Sequence, residues 1–146
     1  MLDKIFKLFQ VPQEIKKRNA QRRVLICDDS EVDRKVIESV LTRYGYQVLV
    51  STNGISAIEK AQTQKPDLIL MDCQMPGMKG PDVCRELKKN MMTQRIPVVF
   101  LTSLDTPKNV IDCFDADAEN YLSKPVNAKI LADQIDTILS PKKSSV

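Results

Sequence analysis

Several side chains that could bind a metal ion or a phosphoryl group follow short apolar runs of this sequence. The acidic pair Asp28 and Asp29 follows one run, and Asp72 ends another, just before a loop rich in Pro and Gly. A hydroxyl, Thr102, and an ammonium, Lys124, follow two later runs. Taken alone, Asp72 is equally well interpreted as a cap of the following turn. The interpretation therefore depends on whether the fold brings these residues together.

The apolar pattern predicts five short strands that alternate with five helices. The strands are predicted at residues 23–27, 46–51, 68–72, 97–101 and 120–122, and the helices begin at about residues 30, 54, 80, 106 and 128. Such alternation is typical of an α/β fold, a doubly wound parallel sheet with helices on both faces. Five strands favour the flavodoxin-like order 2-1-3-4-5, in which ligands bind between the carboxyl ends of strands one and three.

That sheet order places three carboxylates at one edge. Asp28 and Asp29 follow strand one, and Asp72 ends strand three. Uncompensated carboxylates repel each other, whereas Mg²⁺ prefers oxygen ligands and often binds together with a phosphate. Thr102 and Lys124, at two further strand ends, would add a hydroxyl and a cation. The sequence therefore predicts a magnesium-dependent site for a phosphoryl group.

Composition excludes several other kinds of chemistry. The 146 residues include no histidine, which rules out imidazole catalysis and a phosphohistidine on this chain. The four cysteines are scattered without a C-x-x-C pair, so a zinc site or a disulfide framework is not expected. We see no signal peptide and no apolar run of membrane-spanning length, and we expect a cytoplasmic protein.

Four motifs resemble those of the receiver domains of two-component response regulators, of the stand-alone chemotaxis-regulator type. The resemblance covers about residues 22–140. The motifs are Asp28-Asp29-Ser30, Met71-Asp72-x-x-Met75-Pro76-x-Met78-x-Gly80, Leu101-Thr102 and Tyr121-Leu122-x-Lys124-Pro125. Each is weak alone, but the four in this order at predicted strand ends are specific.

The resemblance implies a role for each carboxylate. Asp72 would be the phosphoacceptor that forms an aspartyl phosphate. Asp29 would bind Mg²⁺ directly, together with the Asp72 carboxylate and the backbone carbonyl of Gln74. Asp28 would hold the cation through water.

The resemblance also implies roles at the last two strands. Lys124 and Thr102 would bind phosphoryl oxygens, and the Lys124–Pro125 peptide bond is expected to be cis. Tyr121 would be an aromatic switch that moves inward as Thr102 moves. A half-buried strand tyrosine is the alternative interpretation of Tyr121.

As a function, the resemblance implies a single-domain regulator in a phosphorelay, and not an enzyme in its own right. A sensor histidine kinase or a phosphotransfer protein would phosphorylate it, and an effector protein would read the face formed by the last two helices and strand five. An aspartyl-phosphate hydrolase of similar architecture is the alternative. Haloacid-dehalogenase-type phosphatases place a second Asp two residues after the nucleophile, where this chain has Gln74. Direct DNA binding is not expected, because no helix-turn-helix follows and the body is acidic.

The chain divides into an extension at residues 1–22, a domain at 23–140 and a tail at 141–146. Seven basic and two acidic side chains lie within residues 1–23, whereas the rest has 15 basic and 17 acidic ones. Residues 1–12 hold an amphipathic stripe formed by Leu2, Ile5, Phe6 and Phe9. It could dock on its own domain or a second copy, on a partner protein, or on an anionic membrane, or it could be a disordered leader. Docking on protein is preferred. Residues 13–22 would be a basic connector or a continuing helix.

Overall fold

The described residues form five strands and five helices, with each predicted strand in place. The computed structural model describes residues 10–103, 108, 111–112 and 115–141. The strands are β1 (Arg23–Cys27), β2 (Gln47–Ser51), β3 (Leu68–Asp72), β4 (Val98–Thr102) and β5 (Asn120–Ser123). The helices are α1 (Gln13–Asn19), α2 (Glu31–Arg43), α3 (Gly54–Gln64), α4 (Gly80–Lys89) and α5 (Ala128–Leu139). None of these helices has the length and apolar character needed to cross a bilayer.

Three sequence-based predictions fall on residues that lie outside the described ranges. These are the apolar stripe within residues 1–9, most of the helix predicted at 106–116, and nearly all of the tail. Of the face predicted to bind an effector, the structure therefore describes β5 and α5.

All strand pairs are parallel, and the order is β2-β1-β3-β4-β5, which confirms the predicted topology. In the register of β1 and β3, Cys27 lies opposite Met71. In the register of β4 and β5, Thr102 lies opposite Ser123. The residues that follow these positions therefore emerge together at one edge of the sheet.

Helices cover both faces of the sheet because alternate strand residues point to opposite sides. One core cluster joins strand residues such as Leu25, Met71 and Phe100 to side chains of α3 and α4. The other joins Ile26 and Leu70 to side chains of α2 and α5. All five residues of β3 are buried, as expected for a central parallel strand.

Polar side chains cap the two helices that follow β1 and β2. The Ser30 Oγ accepts a hydrogen bond from the backbone N–H of Asp33, at 3.3 Å, and opens α2. The Asn53 Oδ1 caps α3 in the same way. These caps begin the helices directly after the strand ends.

The helix α1 packs on the domain next to the turn between α2 and β2. The buried Asn19 Nδ2 donates a hydrogen bond to the carbonyl of Tyr44, at 2.8 Å. A Cβ on Gly45, whose φ is +93°, would lie 2.7 Å from the Cα and carbonyl oxygen of Lys16. Arg18 also pairs with Asp136 of α5, at 2.7 Å. Within residues 13–22, the structure therefore shows a docked helix that begins after Pro12 and ends at Asn19.

Candidate functional site

Three carboxylates gather where β1 and β3 end. Carboxylate oxygens of Asp28, Asp29 and Asp72 all lie within 4.8 Å of one another. Asp28 and Asp72 are buried, whereas Asp29 is exposed. The parallel register of β1 and β3 produces this arrangement, because both strands end at the same edge of the sheet.

Backbone groups fix the two buried carboxylates. The Ser30 N–H donates to Asp28 Oδ1 at 2.9 Å, and the Gln74 N–H donates to Asp72 Oδ1 at 3.0 Å. Gly80 allows α4 to start close to the backbone of Asp72, because a Cβ on residue 80 would collide with the Asp72 carbonyl oxygen. The loop that follows Asp72 thus turns back tightly and orients its carboxylate.

Lys124 supplies the positive charge of the site. Its Nζ lies 2.8 Å from Asp28 Oδ2, 3.0 Å from Asp33 Oδ2 and 3.5 Å from Asp72 Oδ2. The Lys124 N–H donates to the Thr102 carbonyl at 2.8 Å, and the Lys124–Pro125 peptide bond is cis. The lysine is thus held against the end of β4.

Asp33 is a member of the site that the sequence reasoning missed. It lies in the first turn of α2, and an acidic residue there is usually explained by the helix dipole. Its contact with Lys124 joins two parts of the chain that are distant in sequence, and no local sequence pattern predicts that contact. The acidic first turn after Asp28 and Asp29 was the one available signal.

Burial controls the electrostatics of the site. Desolvation raises the pKa of Asp72 to about 6; the Gln74 N–H and Lys124 oppose the shift, and Asp28 adds to it. Burial disfavours the charge of Lys124, but its hydrogen bonds to Asp28 and Asp33 and the charge of Asp72 raise its pKa above the ordinary value. The lysine therefore stays charged at neutral pH, and the charge of Asp72 depends on what surrounds it.

The thiol of Cys27 lies beside the carboxylates but is chemically quiet. Burial, together with the charges of Asp28, Asp72 and Asp29, raises the pKa of Cys27 to about 12. A thiol that keeps its proton at neutral pH is a poor nucleophile and a poor metal ligand. Packing is thus the role that the structure supports for Cys27.

Thr102 and Tyr121 lie on the two strands at the side of the site. Thr102 ends β4 and is buried. Tyr121 lies opposite Phe100 in the β4–β5 register, is half-buried and packs against the core. This position fits both interpretations of Tyr121, a switch and a strand tyrosine.

The donor set suits a hard divalent cation. The ligand atoms offered by Asp28, Asp29 and Asp72 are all oxygens, which is the chemistry that Mg²⁺ prefers. A cavity of about 490 Å³ opens above Asp72. Its lining includes Ser30, Asp33, Asp72, Gln74, Ser103 and Lys124. The site thus combines clustered carboxylates, a lysine and room for a small anion.

Comparison with known proteins points to one family. The family model of the response regulator receiver domain matches residues 24–136. The protein PilH of Pseudomonas aeruginosa is 36% identical over 118 residues, which are 81% of this chain and 98% of PilH. The response regulator PleD of Caulobacter vibrioides is 36% identical over 116 residues, which are 80% of this chain and 26% of PleD. The chain thus spans about a quarter of PleD but nearly all of PilH.

Solved structures of the same kind share the fold. The chemotaxis protein CheY4 of Vibrio cholerae has a TM-score of 0.77 and 28% identity, with 82% of this chain and 100% of that chain covered. The receiver domain of a sensor histidine kinase from Pseudomonas aeruginosa has a TM-score of 0.77 and 32% identity, with 82% and 98% covered. That structure holds a magnesium ion in its active-site cleft. With the fold, the carboxylate cluster and the match over residues 24–136, the chain belongs to the response regulator receiver domain family.

Proposed function

We propose that Asp72 accepts a phosphoryl group from a phosphohistidine of a sensor histidine kinase or a phosphotransfer protein. The observation that supports this most directly is the position of the Asp72 carboxylate. It lies at a buried strand end, 3.5 Å from the Lys124 ammonium, and opens into a cavity. A carboxylate so placed can act as a nucleophile while a neighbouring cation receives the charge of the incoming group.

In the reaction, an oxygen of the Asp72 carboxylate attacks the phosphorus atom. A phosphorus–oxygen bond forms, the phosphorus–nitrogen bond to the donor imidazole breaks, and the imidazole leaves with its electron pair. The Gln74 N–H holds Asp72 Oδ1, which fixes the plane of the nucleophile. Lys124 and the Thr102 hydroxyl bind the oxygens of the transferred group.

The carboxylates Asp28, Asp29 and Asp72, with the Gln74 carbonyl, would hold Mg²⁺. When bound, the cation supplies positive charge that offsets the repulsion between these carboxylates and the phosphoryl group. The support for Mg²⁺ is the oxygen-only donor set, with Asp29 accessible from solvent.

The product acts as a signal. The chain promotes its own phosphorylation and dephosphorylation but has no further substrate. An effector protein reads the face that includes β5 and α5, with Thr102 and Tyr121 relaying the change. Gln74 stands where a haloacid-dehalogenase-type phosphatase has its second Asp, which disfavours the hydrolase alternative. We further propose that the protein acts in the cytoplasm and does not bind DNA directly.

Transfer from a radiolabelled histidine kinase to the full-length chain tests this function. We expect label to pass from the kinase to this chain in Mg²⁺ and to stay on the kinase when EDTA is present. A chain that takes no label from any phosphohistidine donor, or takes it equally well in EDTA, would contradict the proposal.

A further inference from the structure

Asp33, in the first turn of α2, borders the phosphoacceptor site and shares Lys124 with it. Its Oδ2 accepts a hydrogen bond from Lys124 Nζ at 3.0 Å, shorter than the 3.5 Å between Nζ and Asp72 Oδ2. Asp33 also lines the cavity above Asp72. Lys124 therefore divides its charge among three carboxylates, and its longest contact is with the phosphoacceptor.

We propose that Asp33 is a positioning residue that competes with the phosphoryl group for Lys124 and so limits how strongly the site holds that group. This inference rests on the proposed phosphorylation of Asp72. It assigns a function to a side chain of α2 outside the carboxylate cluster. In this account, Asp33 sets the balance between the two forms of the switch.

Burial decides which contact of Lys124 yields. The side chain of Asp28 is fully buried, so breaking its bond to Lys124 would leave a buried charge without its cation. The side chain of Asp33 is 44% exposed and can be hydrated when the lysine turns away. A phosphoryl group on Asp72 would therefore draw Lys124 from Asp33 and not from Asp28.

Asp33 has two opposing effects on phosphoryl binding: it orders the Lys124 side chain, and it competes for the charge of that lysine. The competition is the larger effect. A second bond to Lys124 restricts the side chain, which would favour a later bond to phosphate. The bond to Asp28 at 2.8 Å already provides that restriction, however. The negative charge of Asp33 has no such substitute, because it both weakens the field of Lys124 at Asp72 and repels an incoming anion. Removal of that charge should thus strengthen binding.

Binding of beryllofluoride, a non-covalent phosphoryl mimic, tests this on the full-length chain in saturating Mg²⁺. We expect Asp33→Asn to bind the mimic about two- to fivefold more tightly, the range of a partly exposed ion pair, with amide NMR shifts as the readout. Glu31→Gln is the matched control. Glu31 lies in the same first turn of α2, carries the same charge, and pairs with Lys35 instead of Lys124. Its affinity should stay at the wild-type value.

A second comparison shows whether Asp33 acts through the lysine. In a Lys124→Gln background, the added Asp33→Asn change should raise affinity for the mimic by clearly less than it does in the wild type, because only the direct repulsion of the anion by Asp33 is then removed. Unchanged or weaker binding by Asp33→Asn alone, an equal gain in Glu31→Gln, or an undiminished gain without Lys124 would each overturn the inference. If the wild type binds no mimic and Asp72 takes no phosphoryl group, the proposed function itself fails. Normal wild-type binding with a silent Asp33→Asn change refutes the competition alone.

Discussion

The Lys124 ammonium and the Asp72 carboxylate face each other across the end of the sheet, 3.5 Å apart. Asp72 ends the buried strand β3, and Lys124 follows β5. Lys124 also bonds the buried Asp28, at 2.8 Å, so the one cation in contact with these carboxylates, within the described chain, is shared. The negative charge of Asp72 is therefore only partly compensated, and its chemistry depends on other groups that supply positive charge.

The first prediction concerns the protonation of Asp72. Because burial raises its pKa to about 6, the carboxyl ¹³C signal of Asp72 should titrate near pH 6 without Mg²⁺. Phosphorylation should slow as the pH falls from 7 to 5, since the protonated acid is not a nucleophile. Added Mg²⁺ should move the midpoint to lower pH because the cation competes with the proton. A signal that titrates near pH 4 in EDTA would show that Asp72 is not desolvated.

The same shift predicts a stability effect of Asp72→Asn. A carboxyl whose pKa is raised on folding stabilises the protein below its unfolded pKa, near 4, and that contribution is lost as the pH rises through 6. At pH 7 the wild type bears the full cost of a buried charge, which the amide avoids. We expect Asp72→Asn to raise the free energy of unfolding by about 1–3 kcal/mol at pH 7 in EDTA, and by little at pH 4.

Urea denaturation at the two pH values measures this difference. Asp133→Asn is a suitable control, because Asp133 is an exposed residue of α5 paired with Lys129. It should change stability by no more than about 0.5 kcal/mol. An Asp72→Asn variant that is less stable than the wild type at pH 7 would contradict the electrostatic account.

Docking of α1 predicts unequal costs for two glycine substitutions. Gly45 and Gly77 both have positive φ, +93° and +83°, so alanine strains either backbone. At Gly45 the new Cβ would also press on the backbone of Lys16, whereas at Gly77 it meets no described atom within 4 Å. Gly45→Ala should thus lower the free energy of unfolding by about 1–3 kcal/mol more than Gly77→Ala. Equal losses in thermal denaturation would mean that α1 does not rest on this turn.

Residues 1–12 should serve association and not chemistry. The apolar stripe of Leu2, Ile5, Phe6 and Phe9 precedes the docked helix α1. Deletion of residues 1–12 removes none of the residues of α1 and none of the site, so Asp72 phosphorylation should be intact while self-association or partner binding weakens. Sedimentation of the intact and the shortened protein measures self-association, and capture of a partner protein by each measures partner binding. Flotation of the intact protein with anionic liposomes would instead favour membrane docking of residues 1–12. No effect of the deletion in any of these assays would favour the interpretation of residues 1–12 as a disordered leader.

The sheet and the position of several polar side chains at its edge were predictable because their signals are local. Each of Asp28, Asp72 and Thr102 follows an apolar run, and parallel strands bring such ends to one edge. The capping residue Ser30 and the bounds of α5 are similarly written in neighbouring residues. Prediction was accurate where a short stretch of sequence contains the whole physical reason.

Two contacts could not be predicted because their partners are invisible in the sequence. The buried Asn19 donates a hydrogen bond to the Tyr44 carbonyl, a backbone group that every residue possesses. Asp33 reaches Lys124 only once α2 is packed at a particular rotation on the sheet. An acidic residue in a first turn, and a polar one in the last turn of a basic helix, have ordinary explanations that conceal these contacts.

The central claim is that Asp72 is the phosphoacceptor, and intact-protein mass spectrometry tests it most directly. The wild type and Asp72→Asn are incubated with a small acyl phosphate in Mg²⁺, with EDTA as the control. In Mg²⁺ we predict one added phosphoryl group on the wild type and none on Asp72→Asn. In EDTA we predict no added group on either protein. Equal modification of both proteins would contradict the account.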